Sequence, residues 1–222
     1  MFYRVLWEQL PFAESMKILD FGSGFGITAN FLAAANDVTA VEPNEEMCNM
    51  RFKEHTYLQI HGGMEALERL PADNYDLVIC HNVLEYIDYK DNYVAALVRL
   101  LKTGGKLSLV KHNHPGRVMQ KIVHENNLEQ ALQLLGGESM VVQNFGKINY
   151  YGKSDVESWM ENYSLRQLDW LGIRTFFALH PDNSIRLDKD WTSSMFALEM
   201  KASSMEEFIN IAFFNHIILE KK

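Results

Sequence analysis

The residues with the clearest chemical meaning form a glycine turn behind a short apolar run. Asp20 is followed by Gly22, Gly24 and Gly26 in a D-x-G-x-G-x-G spacing. Glycines at this spacing let a strand turn sharply into a helix, and the turn would bring bare backbone N–H groups close to a ligand. The segment therefore predicts a nucleotide-type binding site.

Two side chains of this segment narrow the class of ligand. The dinucleotide fingerprint G-x-G-x-x-G needs a small residue at position 27, where the chain has Ile27. Asp20 would be poorly placed beside a pyrophosphate but well placed to accept hydrogen bonds from an ammonium group. We therefore expect a cationic ligand. S-adenosylmethionine, with its sulfonium and amino-acid groups, fits, and we count Ser23 among its contacts.

Residues after the next two predicted strands are placed to complete a nucleoside site. Glu42 ends the second strand, where a carboxylate can accept both ribose hydroxyls, although an ordinary solvated loop acid is the alternative. Gly63 and Met64 follow the third strand and would lie beside the adenine, although a methionine is more often core filler. We expect all three to contact the cofactor.

His81 ends the fourth predicted strand, at the edge where doubly wound sheets bind their ligands. We count it among the cofactor contacts, and a structural histidine bonded to a loop carbonyl is the alternative. Asn82, Glu85 and Tyr86 follow it and could orient the cofactor or a second substrate.

A cluster of cationic side chains begins at the end of the fifth predicted strand. It runs from Lys111 to Arg117 and continues with Lys121 and His124. Such a cluster suits capture of a carboxylate or phosphate, and it suits a solvated helix face equally well. Arg174 and Tyr150 could complete the pocket, although buried tyrosines most often simply pack. The expected substrate contacts are His112, Asn113, Arg117, Tyr150 and Arg174.

These residues must be positioned by the strands and helices of the fold. Short apolar runs alternate along the chain with segments of helical periodicity. The alternation from Lys17 to Lys111 predicts β-α units on a parallel sheet, which is a doubly wound α/β fold. The predicted strands are Lys17–Phe21, Val38–Glu42, Tyr57–Ile60, Tyr75–His81, Lys106–Lys111, Gln167–Phe177 and Ala212–Lys221. The predicted helices are Ile27–Ala35, Glu45–Lys53, Met64–Leu70, Tyr89–Leu101, Arg117–Leu135 and Met205–Ile209, with one more that begins at Ser154.

Local signals mark the ends of some elements. Thr103-Gly104-Gly105 predicts a helix C-cap and turn before the fifth strand, and Ser154 with Glu157 predicts a capping box. An insertion of about residues 137–154 lies between the helix predicted to end at Leu135 and the one predicted to begin at Ser154, and it is polar and aromatic. It includes Asn144 and Phe145, and it is a candidate lid over the ligand cleft.

Composition limits the remaining possibilities. The chain has 222 residues, enough for one domain over residues 1–222, and its formal net charge of −8 gives no general attraction to nucleic acid or anionic membranes. Cys48 and Cys80 are expected to be buried and reduced, which favours a cytoplasmic protein without a metal site. No apolar run is long enough to predict a membrane span or an export signal.

Taken in order, these motifs resemble the class I S-adenosylmethionine-dependent methyltransferases. The resemblance rests on the glycine turn, on Val41-Glu42-Pro43, on the loop His61–Glu65 and on the segment His81–Tyr86. It covers nearly the whole chain. It implies a seven-stranded sheet, a Rossmann-like fold, whose last strand is antiparallel.

A narrower similarity is to bacterial enzymes that methylate 5-carboxymethoxyuridine in tRNA. It rests on His81-x-Val83-Leu84-Glu85, Gly105-x-Leu107-Ser108-Leu109, Asn113-x-x-Gly116 and Leu171-Gly172-Ile173-Arg174-x-Phe176. This similarity implies a wobble-base carboxylate as methyl acceptor. The chain departs from the family in its glycine turn, where Ser23 and Phe25 replace Gly and Glu.

The sequence thus predicts methyl transfer from S-adenosylmethionine by in-line displacement, in which the enzyme positions and desolvates the reactants. A carboxylate acceptor needs no general base, and for a hydroxyl or amine acceptor the candidates are His81, His112 and His114. No catalytic residue is assigned. The alternatives are a small-molecule O- or N-methyltransferase, a non-enzymatic cofactor-binding module, and a nicotinamide-dependent oxidoreductase, which Ile27 and Asp20 disfavour.

Overall fold

The apolar runs after Lys17 form parallel strands joined by short helices. The computed structural model describes residues 1–138, 141–142 and 146–222. Strands β1 to β4 are Lys17–Phe21, Asp37–Glu42, Leu58–His61 and Tyr75–His81. Helices α1 to α5 are Phe2–Gln9, Ile27–Leu32, Glu45–Asn49, Met64–Arg69 and Lys90–Leu100.

Strand β1 lies between β2 and β4 and is parallel to both. Asp20 stands opposite Ala40 on one side and Ile79 on the other, and β2 is parallel to β3 in turn. The chain therefore leaves β1 toward one edge of the sheet and comes back on the other side as β4. This makes the carboxyl end of β1 the switch point at which doubly wound sheets bind ligands.

The complete sheet has seven strands in the order β3-β2-β1-β4-β5-β9-β8, which confirms the predicted α/β fold. Strands β5, β8 and β9 are Leu101–His112, Leu165–Ile173 and Phe214–Lys221, and helices α6 to α10 are His114–Met119, Leu128–Leu135, Lys153–Asn162, Lys189–Ala202 and Glu206–Ile209. Two short strands, β6 (Val141–Val142) and β7 (Gly146–Lys147), pair antiparallel in a separate sheet.

Contacts within the chain define two compact units. The glycine-turn unit comprises Pro11–Leu109, Tyr151–Leu168 and Ile218–Lys222, and the arginine unit comprises Met1–Leu10, Val110–Tyr150 and Asp169–Ile217. Each unit buries its own apolar side chains. Ile18, Leu19, Leu77, Ile79 and Leu97 are fully buried in the first, and Val5, Leu6, Ile148, Ile173 and Ile217 in the second.

The single helix predicted over Arg117–Leu135 is wrong, because the chain breaks it near its middle. Helix α6 continues into a π-helical turn, Gln120–His124, and the chain then leaves the helix. Asn126 adopts a left-handed backbone with φ 48°, and the side chain of Asn127 accepts the N–H of Gln130 as the N-cap of α7. Asparagine tolerates both positions well, so this pair was the missed signal.

Two of the sequence signals predicted to mark the ends of helices are also wrong. Helix α5 ends at Leu100 and the chain enters β5 at once, so Thr103–Gly105 lies inside a strand. A Cβ on Gly105 would come within 3.0 Å of the Tyr75 carbonyl oxygen, which explains this glycine by a close backbone approach. Helix α8 is capped two positions earlier than predicted, because the N-cap is Gly152 and the Asp155 carboxylate accepts its N–H at 2.7 Å.

Helix α9 was not predicted, although the short helix before β9 was. Its sequence has no strong apolar stripe at helical spacing, and Asp188 caps it by accepting the N–H of Trp191 at 2.8 Å. The predicted lid at about 137–154 contains β6, β7 and the start of α8, whereas Asn144 and Phe145 lie outside the described residues. In the described parts of the chain, no helix has the length and apolar character needed to cross a membrane.

Candidate functional site

The glycine turn joins β1 to α2 at the switch point of the sheet. Gly22, Gly24 and Gly26 have φ values of 72°, 55° and 69°. This is a left-handed backbone conformation that residues other than glycine rarely adopt. A Cβ on Gly22 would overlap the side chain of Val83, and one on Gly26 would overlap the hydroxyl of Tyr57. The turn therefore requires glycine for both its conformation and its packing.

Four backbone donors of this turn are already used inside the chain. The N–H groups of Gly22 and Ser23 donate to the Val41 carbonyl oxygen at 2.8 and 3.3 Å, and that of Gly26 donates to the Ser23 carbonyl at 2.9 Å. The Gly24 N–H donates to Glu42 Oε2 at 2.7 Å. The expectation of bare N–H groups is thus wrong for these four. A phosphate would find none of them free, which favours a cationic ligand.

Asp20 supplies a buried carboxyl group beneath the turn. Its side chain is 4% exposed. Burial, and then the nearby Glu42 carboxylate, raise the pKa of Asp20 to about 7, against a hydrogen bond from the Ala29 N–H that lowers it. A buried carboxylate beside another carboxylate is stabilised by a cation. Asp20 therefore has the environment expected of a group that pairs with a ligand ammonium.

Glu42 holds the turn and the end of β2 together. Its Oε1 accepts the N–H of Asn44 at 2.8 Å while Oε2 accepts that of Gly24, and the side chain is buried. Each carboxylate oxygen has two lone pairs, so this arrangement leaves acceptor capacity for hydroxyl groups. The solvated-loop interpretation of Glu42 is wrong, because its carboxylate is committed to the backbone of the site.

Several buried polar atoms of the glycine-turn unit have no hydrogen-bond partner among the residues described, and two of them follow strands β1 and β4. These two are Ser23 Oγ, within the turn, and Asn82 Oδ1, directly after β4. Asn82 also has a left-handed backbone, with φ 54°. Buried polar atoms are rarely left unpaired in folded proteins, so both are candidates for contacts with a polar ligand.

The other predicted cofactor residues are held by local contacts. His81 Nε2 lies 2.8 Å from the hydroxyl of the buried Ser108 on β5. Gly63 donates its N–H to Glu65 Oε1 at 2.8 Å, and Met64 is half-buried at the start of α4. The backbone N–H of Gly63 is therefore not free to bind adenine, and the roles of these residues stay predictions.

The predicted substrate contacts all lie in the arginine unit, where two of them support its backbone or ring packing. The Asn113 amide donates to the Asn210 and Ala212 carbonyl oxygens at 3.0 and 2.8 Å, which fixes the chain before β9. The half-buried ring of Tyr150 meets His114 edge-on, with centroids 5.0 Å apart.

His112 and Arg117 form a buried pair. The Arg117 guanidinium donates to His112 Nδ1. Burial, then Arg117 and Lys111, lower the pKa of His112 to about 3, so its imidazole is neutral at physiological pH. Lys121 is buried as well, and it pairs with Glu125 at 2.6 Å. The cationic cluster thus contains a buried arginine–histidine pair and a buried lysine that has its own carboxylate partner.

Arginines and phenylalanines alternate in this unit. The Phe213 ring has the Arg117 Cζ at 3.8 Å and the Arg174 Cζ at 5.1 Å from its centroid, and the Phe177 ring has Arg174 at 5.6 Å and Arg186 at 4.5 Å. We call these five residues the arginine row. The expected substrate contacts include Arg117 and Arg174 but not Arg186, which lies in a single 3-10 helical turn, Ser184–Leu187, that is too short to show periodicity.

Comparisons with known proteins agree with this geometry. A family model described as "Methyltransferase domain" matches residues 4–168. The ubiquinone biosynthesis O-methyltransferase of Bordetella avium is 24% identical over 186 residues, covering 78% of this chain and 73% of that protein. The ubiquinone/menaquinone biosynthesis C-methyltransferase of Shewanella sediminis is 23% identical over 164 residues, covering 69% of this chain and 64% of that protein.

The fold has counterparts among solved structures. The crystal structure of an S-adenosylmethionine dependent methyltransferase from Mesorhizobium loti matches with a TM-score of 0.62 and 13% identity, over 99% of this chain and 97% of that one. At this identity the match supports the fold and leaves the substrate open.

Proposed function

The chain belongs to the methyltransferase-domain family and is an S-adenosylmethionine-dependent methyltransferase, and on this premise we propose that it methylates a small-molecule acceptor. The observation that supports the donor half is the chemistry of the glycine turn. Four of its backbone donors are used internally, while the buried carboxyl of Asp20 can pair with a cation.

We assign the donor contacts to residues of the glycine-turn unit. Asp20 would hold the ammonium group, Glu42 the ribose hydroxyls, and Ser23 Oγ and Asn82 Oδ1 are buried atoms that a polar ligand would satisfy. When bound, S-adenosylmethionine supplies a methyl group activated by its sulfonium. The residues of the chain then have to orient the reactants and exclude water.

The relatives favour a small molecule as acceptor. Both are named for methyl transfer in quinone biosynthesis, and the net charge of −8 disfavours a polyanion. A wobble-uridine carboxylate in tRNA is the second candidate, because the arginine row offers cations to an anionic group. We also keep a single domain over residues 1–222 and a cytoplasmic location as proposals.

The histidines limit the chemistry of proton removal. His112 is a poor base at neutral pH, because its pKa of about 3 leaves little basicity and its Nδ1 accepts from Arg117. His114 Nε2 donates to the Leu134 carbonyl at 3.0 Å. For a hydroxyl or amine acceptor we therefore retain His81 and His114 and drop His112. For a carboxylate acceptor no base is needed.

Methyl transfer is tested by incubating the protein with cofactor labelled on its methyl group and a cell extract. The extract is then separated into tRNA, protein and small molecules. We expect label in the small-molecule fraction. Label confined to tRNA would favour the second candidate, and cofactor binding without transfer to any fraction would favour a non-enzymatic module. Calorimetric titration should give binding of S-adenosylmethionine, and binding of NAD alone would refute the donor assignment.

A further inference from the structure

Two guanidinium groups of the arginine unit share one aromatic ring. Arg174 and Arg186 both lie within 6 Å of the Phe177 centroid, at 5.6 and 4.5 Å. The Nε atoms of both arginines are buried and have no hydrogen-bond partner in the part of the chain that the structure describes. Both side chains therefore carry a donor for which the protein provides no acceptor.

The backbone around Arg174 is held in an unfavourable conformation. Its φ of 62° lies in the left-handed region, which residues with a Cβ rarely adopt. The buried carboxylate of Glu199 on α9 stabilises the segment that follows, because it accepts the N–H groups of Thr175, Phe176 and Phe177 at 2.8, 2.9 and 2.7 Å. Glu199 thus keeps Arg174 in place.

No carboxylate of the described residues lies within ion-pair distance of either guanidinium. Arg186 Nη2 donates only to the backbone oxygens of Phe177 and His180, at 3.2 and 3.3 Å. Burial, and then the charge of Arg186, lower the pKa of Arg174, against the charge of the Glu199 carboxylate, which raises it. A chain with 29 acidic residues could easily have supplied a partner. Both side chains are half-buried, and a guanidinium group partly withdrawn from water without a counter-ion is costly, which points to a partner from outside the chain.

We propose that Arg174 and Arg186 form a binding site for an oxyanion, the carboxylate or phosphate group of the methyl acceptor. An oxyanion accepts N–H donors from the planar guanidinium in a bidentate manner, and it would satisfy the Nε atoms. The rings of Phe177 and Phe213 offer apolar contact to the rest of the ligand. The identity of the ligand as the acceptor rests on the proposed function, whereas the oxyanion site does not.

The test uses the arginine Nε–H resonances of the whole ¹⁵N-labelled protein, titrated separately with inorganic phosphate and with benzoate at constant ionic strength. Arg174→Lys and Arg186→Lys assign the two signals. We expect both signals to shift saturably with at least one of the two anions, and the signal of Arg166, which pairs with Glu220 at 2.7 Å, to stay in place. Equal shifts at Arg166, or no saturation with either anion, would overturn the proposal.

Variants provide a second measurement. Arg174→Gln and Arg186→Gln should each weaken binding of the responding anion by about tenfold or more, the loss expected for a charge-assisted hydrogen bond. The lysine variants keep the positive charge but lose the planar guanidinium group, so they should bind the anion with intermediate affinity. Arg166→Gln is the matched control and should change the affinity less than twofold. A loss as large in this control would assign the effect to net charge and refute the site.

Titration with S-adenosylmethionine separates this inference from the function on which its ligand depends. Arg186→Gln should bind the cofactor as the unaltered protein does. If the unaltered protein binds cofactor but neither anion, the oxyanion site is refuted and the donor assignment stands. If it binds an anion but no cofactor, the donor assignment fails and the oxyanion site stands.

Discussion

The two units bury polar groups in opposite ways. In the glycine-turn unit, the donors of the turn are paired with internal acceptors, and the buried charge that awaits a partner is a carboxyl, Asp20. In the arginine unit, the carboxylate of Glu199 accepts backbone N–H groups, and the Nε atoms of Arg174 and Arg186 have no partner among the described residues. We propose that the first unit binds a cation and the second an anion.

This difference separates the features that bind the methyl donor, which the family has in common, from the features that bind the acceptor of one particular enzyme. A sulfonium ligand with an ammonium group requires an acidic environment, so the glycine turn and Asp20 identify the donor. An acceptor differs from one enzyme to another, and Arg186, which we propose as one of its contacts, lies outside any sequence motif. The predictions below test whether the two environments are as independent as this contrast implies.

Filling the glycine turn should have the largest effect. Gly22→Ala adds a Cβ that overlaps Val83 and occupies a left-handed backbone, so it should lower the free energy of unfolding by about 2–5 kcal/mol. Denaturant unfolding measures the loss, and calorimetry should find no cofactor binding. Phosphate or benzoate binding at Arg174 should persist in protein that stays folded.

Gly104→Ala is the matched control for this substitution. Gly104 has the same kind of backbone, with φ 78°, but a Cβ there would meet nothing within 4 Å. It should therefore cost only the backbone term, about 1–2 kcal/mol. Adding Val83→Ala to Gly22→Ala should recover part of the difference. An equal loss in the two single variants would contradict the packing explanation of the turn.

Removing the charge of Asp20 should reduce donor affinity by about 10–100-fold, the range for a charge-assisted hydrogen bond. Asp20→Asn keeps the shape of the side chain but cannot pair with an ammonium group. Because burial raises the pKa of Asp20, the same variant should make the ligand-free protein more stable at pH 8. Calorimetry and unfolding measure the two effects. Asp37→Asn, at an exposed position, should change neither, and unchanged affinity in Asp20→Asn would contradict the donor assignment.

The sequence predicts the first environment far better than the second, for physical reasons. The turn is local: Asp20 and three glycines at fixed spacing dictate a backbone path and a neighbouring helix. The arginine row is not local, because Arg117, Arg174 and Arg186 meet through the rings of Phe177 and Phe213, which lie far apart in the sequence. Helix α9, which carries Glu199, lacks the apolar stripe that would have revealed it.

Glu199→Gln tests whether the arginine unit depends on its own internal carboxylate. The amide keeps one acceptor oxygen but loses the charge and leaves a backbone donor of Thr175–Phe177 unpaired, so stability should fall by about 1–3 kcal/mol. Anion affinity at Arg174 should fall with it, while cofactor affinity should not. Glu220→Gln removes a partly exposed ion pair and should cost less than about 1 kcal/mol. Similar losses in both variants would argue against a positioning role for Glu199.

The smallest effect, about tenfold, is expected from pH, and it distinguishes the units most directly. Because the pKa of Asp20 is about 7, its carboxyl group gains a proton as the pH falls from about 8 to 6, and cofactor affinity should fall with it. Ligand-free stability should change in the opposite direction. The folded protein holds this proton up to about pH 7 while the unfolded chain releases it near pH 4, so stability decreases as the pH rises between these values. Asp20→Asn should remove the pH dependence of both cofactor affinity and ligand-free stability.

Benzoate stays ionised from pH 6 to 8 and His112 stays neutral there, since its pKa is about 3, so anion binding should vary less than cofactor binding. A parallel pH dependence of the two ligands would show that one titrating group serves both environments, and the contrast between the units would then be wrong.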